Sequence, residues 1–316
     1  MTRILITRPL PETVLAPLAG YELTRREKTT PLDAEELRAA LRDFDGVLPT
    51  LGDLFTADVF ADVARPRCRV LANFGVGYNH IDVGAAKAAG VVVSNTPGAV
   101  TDATADIAMT LMLMSARRAG EGERLVRAEM WEGWHPTQML GLHLSGKSVG
   151  IVGMGRIGQA IARRCHFGFG MSVKYVSRSS KTLAFPAERI PDLKALAGQV
   201  DVLVIAVPGG RETRHLIDAK VLGAMQKHAH LVNIARGDVV EESALIDALQ
   251  KGRIGGAGLD VYEFEPRVPQ ALRELENVVL LPHLGTAALE VREDMGRMAV
   301  ANLTAYFEGR DLPNPV

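Results

Sequence analysis

Three short polar segments carry residues able to do proton and anion chemistry, and each follows a β-rich run. They are Asn233-Ile234-Ala235-Arg236-Gly237-Asp238, Gly258-Leu259-Asp260-Val261-Tyr262-Glu263-Phe264-Glu265-Pro266 and Leu281-Pro282-His283-Leu284-Gly285-Thr286. Ligands of open α/β sheets bind just past the carboxyl ends of strands, so an arginine, carboxylates and a histidine in those positions are candidates for one site. A histidine takes or gives a proton near neutral pH, and a neighbouring carboxylate stabilises its charged ring. An arginine pairs with a carboxylate and polarises a carbonyl. Glu263 and Glu265 lie two residues apart, so in an extended segment only one of them faces such a site.

A fourth segment reads as a dinucleotide loop. Gly153-Met154-Gly155-Arg156-Ile157-Gly158 matches G-x-G-x-x-G, follows the strand pattern Lys147 to Val152 directly, and opens a helical pattern through Ala160, Ile161 and Arg164. In a chain with 31 glycines the hexapeptide alone is weak, and the context strengthens it. Gly153 permits the tight turn, Gly155 the approach of a pyrophosphate, and Gly158 close helix–strand packing, while the helix N-terminus offers free N–H groups. An NAD-preferring site places an acidic residue about 20 positions on. Here Val173-Lys174-Tyr175-Val176 runs into Ser177-Arg178-Ser179-Ser180-Lys181, with no acid nearby. Arg178, with the hydroxyls of Ser177 and Ser179, suits a 2′-phosphate, so NADP(H) is favoured over NAD(H); the alternative is a solvated basic turn.

These segments sit in an alternation of short β-rich runs and helical patterns, the signature of an α/β fold with parallel sheets. Strand patterns fall at Arg3–Ile6, Gly46–Leu48, Val70–Ala72 and Val91–Val93, then at Val173–Ser177, Val200–Val207, Leu231–Ile234, Ala257–Asp260 and Val278–Leu281. Helical patterns fall at Asp33–Arg42, Thr101–Arg118, Glu121–Trp131 and Ala287–Glu308, with a loop over 133–146. At roughly 150 residues per domain, 316 residues suggest two domains.

Composition excludes other classes. Thirty-six Lys and Arg balance 37 Asp and Glu for a net charge of −1, so nothing pulls globally on nucleic acid or an anionic membrane. The longest apolar stretch, Ile107 to Ala116, is short of the ~20 residues of a membrane helix, and the N-terminus lacks a signal-peptide core. Cys68 and Cys165 read as reduced thiols, and a cytoplasmic location is expected. No cluster has metal-ligand spacing, and His80, His135, His143, His166, His215, His228 and His230 lack the setting of His283, though His80 and His135 are candidates to line a cleft.

Taken together, the motifs resemble the D-isomer-specific 2-hydroxyacid dehydrogenase family, in particular its glyoxylate/hydroxypyruvate reductase branch. The resemblance runs through Asn73-Phe74-Gly75-Val76-Gly77-Tyr78-Asn79-His80-Ile81-Asp82, Thr96-Pro97-Gly98 to Thr104-Ala105-Asp106, the glycine loop and the three polar segments. It implies a catalytic set of Arg236, Glu265 and His283. Reducing a 2-oxo acid requires hydride on the carbonyl carbon and a proton on the oxygen, and the roles then follow: His283 the acid, Glu265 its charge partner, Arg236 the ligand of the substrate carboxylate. The family uses the loop at Gly75, Val76 and Gly77 for substrate, with Leu51 as a wall; the reading from residues alone is an anion nest or a plain turn. Thr104 falls where the family contacts the nicotinamide half of the cofactor. Asp260 matches a contact to the carboxamide, or is a buried structural carboxylate. Met154, Arg156, Ile157, Val207, Pro208, Ile234, Ala235 and Gly285 complete the expected cofactor contacts.

The implied architecture is two Rossmann-like domains with parallel sheets. A flavodoxin-like substrate domain comprises 1–97 and 286–316, and an NAD(P)-binding Rossmann domain comprises 98–285, with 101–146 as the dimerisation arm of a homodimer. The cleft between them is expected to hold the small 2-oxo or 2-hydroxy acid, closing to exclude water. NAD-dependent 3-phosphoglycerate dehydrogenase is an alternative, disfavoured by the chain ending at Val316, although short versions exist. Formate dehydrogenase relatives are disfavoured by Glu265. A dinucleotide-sensing corepressor-like binding protein keeps the same three residues, and only the lack of disordered flanks or a docking extension speaks against it.

Overall fold

A computed structural model describes residues 1–316. The chain divides into two compact units, Met1–Val100 with Ala287–Val316, and Thr101–Thr286.

Unit 1 is built on strands β1 (Arg3–Ile6), β2 (Glu22–Arg25), β3 (Gly46–Leu48), β4 (Val70–Ala72) and β5 (Val92–Ser94). All pair in parallel in the order β2-β1-β3-β4-β5, the flavodoxin-like arrangement. Helices α1 (Ala34–Asp43), α2 (Ala57–Ala61) and α3 (Val83–Ala88) connect them. Asp33 caps α1, accepting from the N–H groups of Glu35 and Glu36 while the Glu36 carboxylate reaches back to Asp33; such a capping box is worth about 1 kcal/mol.

Unit 2 holds β6 (Ser148–Val152), β7 (Ser172–Val176), β8 (Ala187–Arg189), β9 (Val202–Ile205), β10 (His230–Asn233), β11 (Gly256–Leu259) and β12 (Val278–Leu280). Their order, β12-β11-β10-β9-β6-β7-β8, is a doubly wound parallel sheet whose direction reverses between β6 and β9. The strands β9, β10 and β11 are buried along their whole length, as strands covered on both faces must be. Helices α4 (Thr101–Ala116), α5 (Ala119–Arg127) and α6 (Arg156–Phe169) precede or follow β6, and α7 (Leu193–Ala197), α8 (Ala219–Ala224), α9 (Glu242–Gln250) and α10 (Gln270–Arg273) connect later strands. Core residues of α4 and α6 pack on one face of the sheet, those of α7, α8 and α9 on the other. The last helix, α11 (Leu289–Phe307), packs on β3 and β4 of unit 1. No helix is long and apolar enough to cross a membrane.

Two strands escape the sequence patterning. Both β2 and β8 are sheet edges, short and largely exposed, so neither carries the apolar run that marks the inner strands. The helical pattern expected at Glu121–Trp131 is α5, which begins after the left-handed Arg118 and ends before a second left-handed residue, Glu129. Cys68 and Cys165 are free, buried thiols, one in each unit, and burial pushes both up to about 12.

Candidate active site

The polar segments lie at the carboxyl ends of the strands of unit 2. Gly153 follows β6 with φ +99°, and an added Cβ there would stand 2.7 Å from the Ala206 carbonyl oxygen. At Gly158 a Cβ would come within 2.1 Å of the Gly153 oxygen, whereas at Gly155, where α6 begins, it would meet nothing within 4 Å. Two glycines therefore fold the turn tightly, and the third leaves open space before the unsatisfied N–H groups of α6, a cradle that suits a pyrophosphate. The Met154 side chain is buried in the core, so only its backbone is available there. Val207 packs against Gly153 from the end of β9, with Pro208 beside it.

The turn after β7 brings together more cations than the sequence reading named. Arg189, on β8, donates to the Ser177 carbonyl at 3.0 Å and the Arg178 carbonyl at 3.4 Å. Lys181 donates to the Ser179 hydroxyl at 3.0 Å, and the Ser177 hydroxyl to the Ser179 carbonyl at 2.5 Å. Arg178 itself is exposed. Arg189 escaped notice because only pairing of β8 with β7 brings it to this turn.

Past β10, Arg236 opens a single 3₁₀ turn, Gly237–Val239. Its guanidinium donates to the Ala235 carbonyl at 2.6 Å, and Asn233 holds the turn by donating to the Arg236 carbonyl and accepting from the Ala235 N–H. Burial pulls the guanidinium below its ordinary value, opposed by the charges of Glu265 and Asp238. Gly237 lies on the backbone of the next segment: a Cβ there would stand 1.8 Å from the Tyr262 carbonyl carbon. No residue with a side chain fits this contact.

Asp260, past β11, is 1% exposed and organises the histidine loop. Its carboxylate accepts from the N–H groups of Leu284 (2.6 Å) and Gly285 (2.9 Å), and its carbonyl from the His283 N–H. Thr104 donates to the Gly285 carbonyl, so Thr104, Asp260 and Gly285 are neighbours. Burial raises the Asp260 carboxyl, against the pull of the Leu284 N–H and of His283. His283 adopts φ +55°, a conformation that costs a non-glycine residue about 1–2 kcal/mol and is tolerated where the surroundings enforce it.

His283 Nδ1 stands 3.0 Å from Glu265 Oε2, and the other Glu265 oxygen accepts from the Tyr262 N–H at 3.0 Å. Pairing through Nδ1 leaves Nε2 for a reacting group. Burial pushes the Glu265 carboxyl up, but the hydrogen bond and charge of His283, the Tyr262 N–H and Arg236 outweigh it and hold it below the usual range. Glu263 turns elsewhere, to His215 Nε2 at 2.8 Å and Arg214. Of the two glutamates two residues apart, it is Glu265 that pairs with His283.

In unit 1 a different pair of loops comes together. Thr50 forms a parallel bridge with Phe74, which places Leu51 and the turn Gly75–Gly77 on adjacent strand ends. The Gly75 carbonyl accepts from Asn73 Nδ2 and the Thr96 N–H, the Val76 carbonyl from Asn95 Nδ2, and the Gly77 carbonyl from Asn73 Nδ2. In a trans peptide the N–H points opposite the carbonyl, so tying these carbonyls back turns the N–H groups of Val76 and Gly77 outward. Asn73, held in turn by His80 Nε2 at 3.0 Å, was not identified from the sequence, where it is one polar residue after a strand. His135 is exposed and contacts the Thr137 hydroxyl.

Residues 109–285 match the family model described as the D-isomer specific 2-hydroxyacid dehydrogenase NAD binding domain. The chain is 43% identical to a glyoxylate reductase of Thermococcus kodakarensis, over 99% of this chain and 96% of that one. It is 36% identical to a glycerate dehydrogenase of Hyphomicrobium methylovorum, over 98% and 97%. Among solved structures it superposes with TM-score 0.88 and 38% identity on an NADPH-dependent glyoxylate/hydroxypyruvate reductase of Sinorhizobium meliloti in complex with NADP and malonate, covering 100% of this chain and 96% of that one. A Thermus thermophilus protein matches with TM-score 0.92 and 41% identity over the whole of both chains. The chain belongs to the D-isomer-specific 2-hydroxyacid dehydrogenases, nicotinamide-dinucleotide oxidoreductases, and its likeness falls within their glyoxylate/hydroxypyruvate reductase branch.

Proposed function

We propose that this chain reduces glyoxylate or hydroxypyruvate to the D-2-hydroxy acid with NADPH. The observation that carries the reading is the Glu265–His283 pair at a strand end beside the half-buried Arg236, whose charge helps hold the Glu265 carboxyl down. His283, charged and held through Nδ1, delivers the proton to the carbonyl oxygen from Nε2, and Glu265 stays ionised to balance it. Arg236 pairs with the substrate carboxylate and polarises the carbonyl, while Gly75, Val76, Gly77 and Leu51 bind the acid from unit 1. Gly153–Gly158, Val207, Pro208, Ile234, Ala235, Thr104, Asp260 and Gly285 would hold the dinucleotide, which would supply the hydride when bound. Arg178, Arg189 and Lys181 around Ser177 and Ser179, with no carboxylate in that turn, support NADP(H) over NAD(H). Unit 1 is then the substrate domain and unit 2 the NADP domain.

A homodimer built on 101–146 fits the exposed Val126, Met130, Trp131, Trp134 and Leu140 and an α5 with no buried residue. Two buried free thiols fit a cytoplasmic setting. The test is initial rates of cofactor oxidation with glyoxylate, hydroxypyruvate and phenylpyruvate, each with NADPH and NADH. Fast turnover of the two small acids with NADPH supports the reading. A preference for NADH overturns the role of Arg178, and no turnover overturns the catalytic assignment. Light scattering at assay concentration reads the oligomeric state.

A further inference from the structure

We infer that Arg8 is a positioning residue for the substrate pocket, clamping the Leu51 loop and thereby setting how large a 2-oxo acid is accepted. The inference rests on the reading of Leu51 as a pocket wall. Arg8 follows β1, and its guanidinium works as a fork: Nη1 donates to the Leu51 carbonyl at 2.6 Å, and Nη2 stands 3.4 Å from Asp53 Oδ1. The third nitrogen, Nε, is buried without a hydrogen-bond partner.

An ordinary ion pair neutralising a buried carboxylate is the plainer account of Arg8, and the distances argue against it. Asp53 is fully buried and already accepts from the Leu32 N–H (3.0 Å), the Thr7 hydroxyl (2.7 Å) and the Thr50 N–H (2.9 Å). The arginine is its longest partner among these, while the short bond goes to the Leu51 backbone. Asp53 thus anchors the fork, and Leu51 is what the fork holds. Gly52 closes the arrangement: its φ is +95°, and a Cβ would stand 3.0 Å from Pro31 and 3.3 Å from Arg8 Nη2. From Thr50 the bridge to Phe74 and the bond from the Phe74 N–H to the Pro49 carbonyl carry the clamp to the turn at Gly75. A guanidinium reaches the carbonyl and the carboxylate from separate nitrogens of one rigid planar fork, whereas the three donors of an ammonium all sit on one atom and fix neither partner's direction.

The experiment compares Arg8→Met, Arg8→Lys, Leu51→Ala and the Arg8→Met/Leu51→Ala double variant of the full chain. Each is assayed with NADPH and either glyoxylate or phenylpyruvate, with a thermal melt alongside. Arg8→Met is expected to raise KM for glyoxylate about tenfold with kcat within about threefold and KM for NADPH unchanged. Its selectivity moves toward phenylpyruvate, Arg8→Lys does not restore it, and the double variant is no more altered in selectivity than Leu51→Ala. Equal loss of kcat and kcat/KM for both acids, or effects of Arg8 and Leu51 that simply add, assigns Arg8 to stability and overturns the inference. Should Arg8→Met not fold, Arg8→Lys carries the same readouts. Leu51→Ala with unchanged selectivity overturns the pocket reading and this inference with it; altered selectivity in Leu51→Ala with none in the Arg8 variants overturns this inference alone.

Discussion

The strand ends of the two units solve opposite problems with the same materials. In unit 1, side chains turn inward: Asn73 and Asn95 hold the carbonyls of Gly75, Val76 and Gly77, Asp53 gathers the N–H groups of Leu32 and Thr50, and the backbone N–H groups of the turn are what remain facing out. In the polar segments of unit 2, unlike its glycine loop, the backbone turns inward. The N–H of Tyr262 is spent on Glu265 and those of Leu284 and Gly285 on Asp260, so the proposed chemistry falls to the side chains of Arg236 and His283. Holding an anion requires fixed donors that never trade their protons, which peptide N–H groups provide. Acid–base chemistry requires a group that titrates, and only side chains do.

That contrast makes the two units separable by kinetics. His283→Gln strikes unit 2, and kcat with glyoxylate is expected to fall about 10³-fold with little change in the dissociation constant for NADPH, read by nucleotide fluorescence. A large loss of nucleotide affinity instead would break the division of labour.

A second effect separates the stabilities. His230, at the start of β10, is 8% exposed, hydrogen bonds through Nδ1 to the Ser115 hydroxyl, and burial holds it down to about 4 from 6.5. The folded state keeps it neutral, so its contribution is whole above pH 6.5 and drains as the pH falls toward 4, in total about 3 kcal/mol. Urea midpoints from pH 7.5 to 4 check this, and His230→Gln flattens that slope if the assignment holds. The third test removes two of the cations proposed to meet the ribose end of the cofactor. Arg178→Ala with Arg189→Ala is expected to raise KM for NADPH about 30-fold and leave that for NADH within about twofold. The smallest effect is the sharpest for unit 1: Asn73→Ala, which removes its bonds to the Gly75 and Gly77 carbonyls and leaves the former only the Thr96 N–H, is expected to raise KM for the acid about tenfold with kcat nearly unchanged. A fall in kcat alone would mean that the turn serves chemistry after all.

The same contrast explains what could be read from the chain before folding. Arg236, His283 and the pair Glu263 and Glu265 announce themselves by type and by their place after strands, and the glycine loop by its spacing. The two parallel sheets followed from alternating apolar runs, while β2 and β8 were invisible because they are exposed edges without an apolar run, unlike the largely buried edges β5 and β12. The choice of Glu265 over Glu263 came from resemblance; its physical reason, the bond to His283 against the bond of Glu263 to His215, exists only in three dimensions. Asn73, Arg8 and Arg189 were missed for one reason: each works by gripping backbone, and a carbonyl belongs to every residue, so the partner leaves no trace in the residue types.

Gly237 carries a consequence for inheritance. Every single-base change that alters a glycine codon to another amino acid installs a Cβ, and here a Cβ would lie 1.8 Å from the Tyr262 backbone. The turn that presents Arg236 and the segment that presents Glu265 are therefore locked to each other by an atom that must be missing. Gly237 therefore marks a codon whose third base is free to vary and whose first two are not.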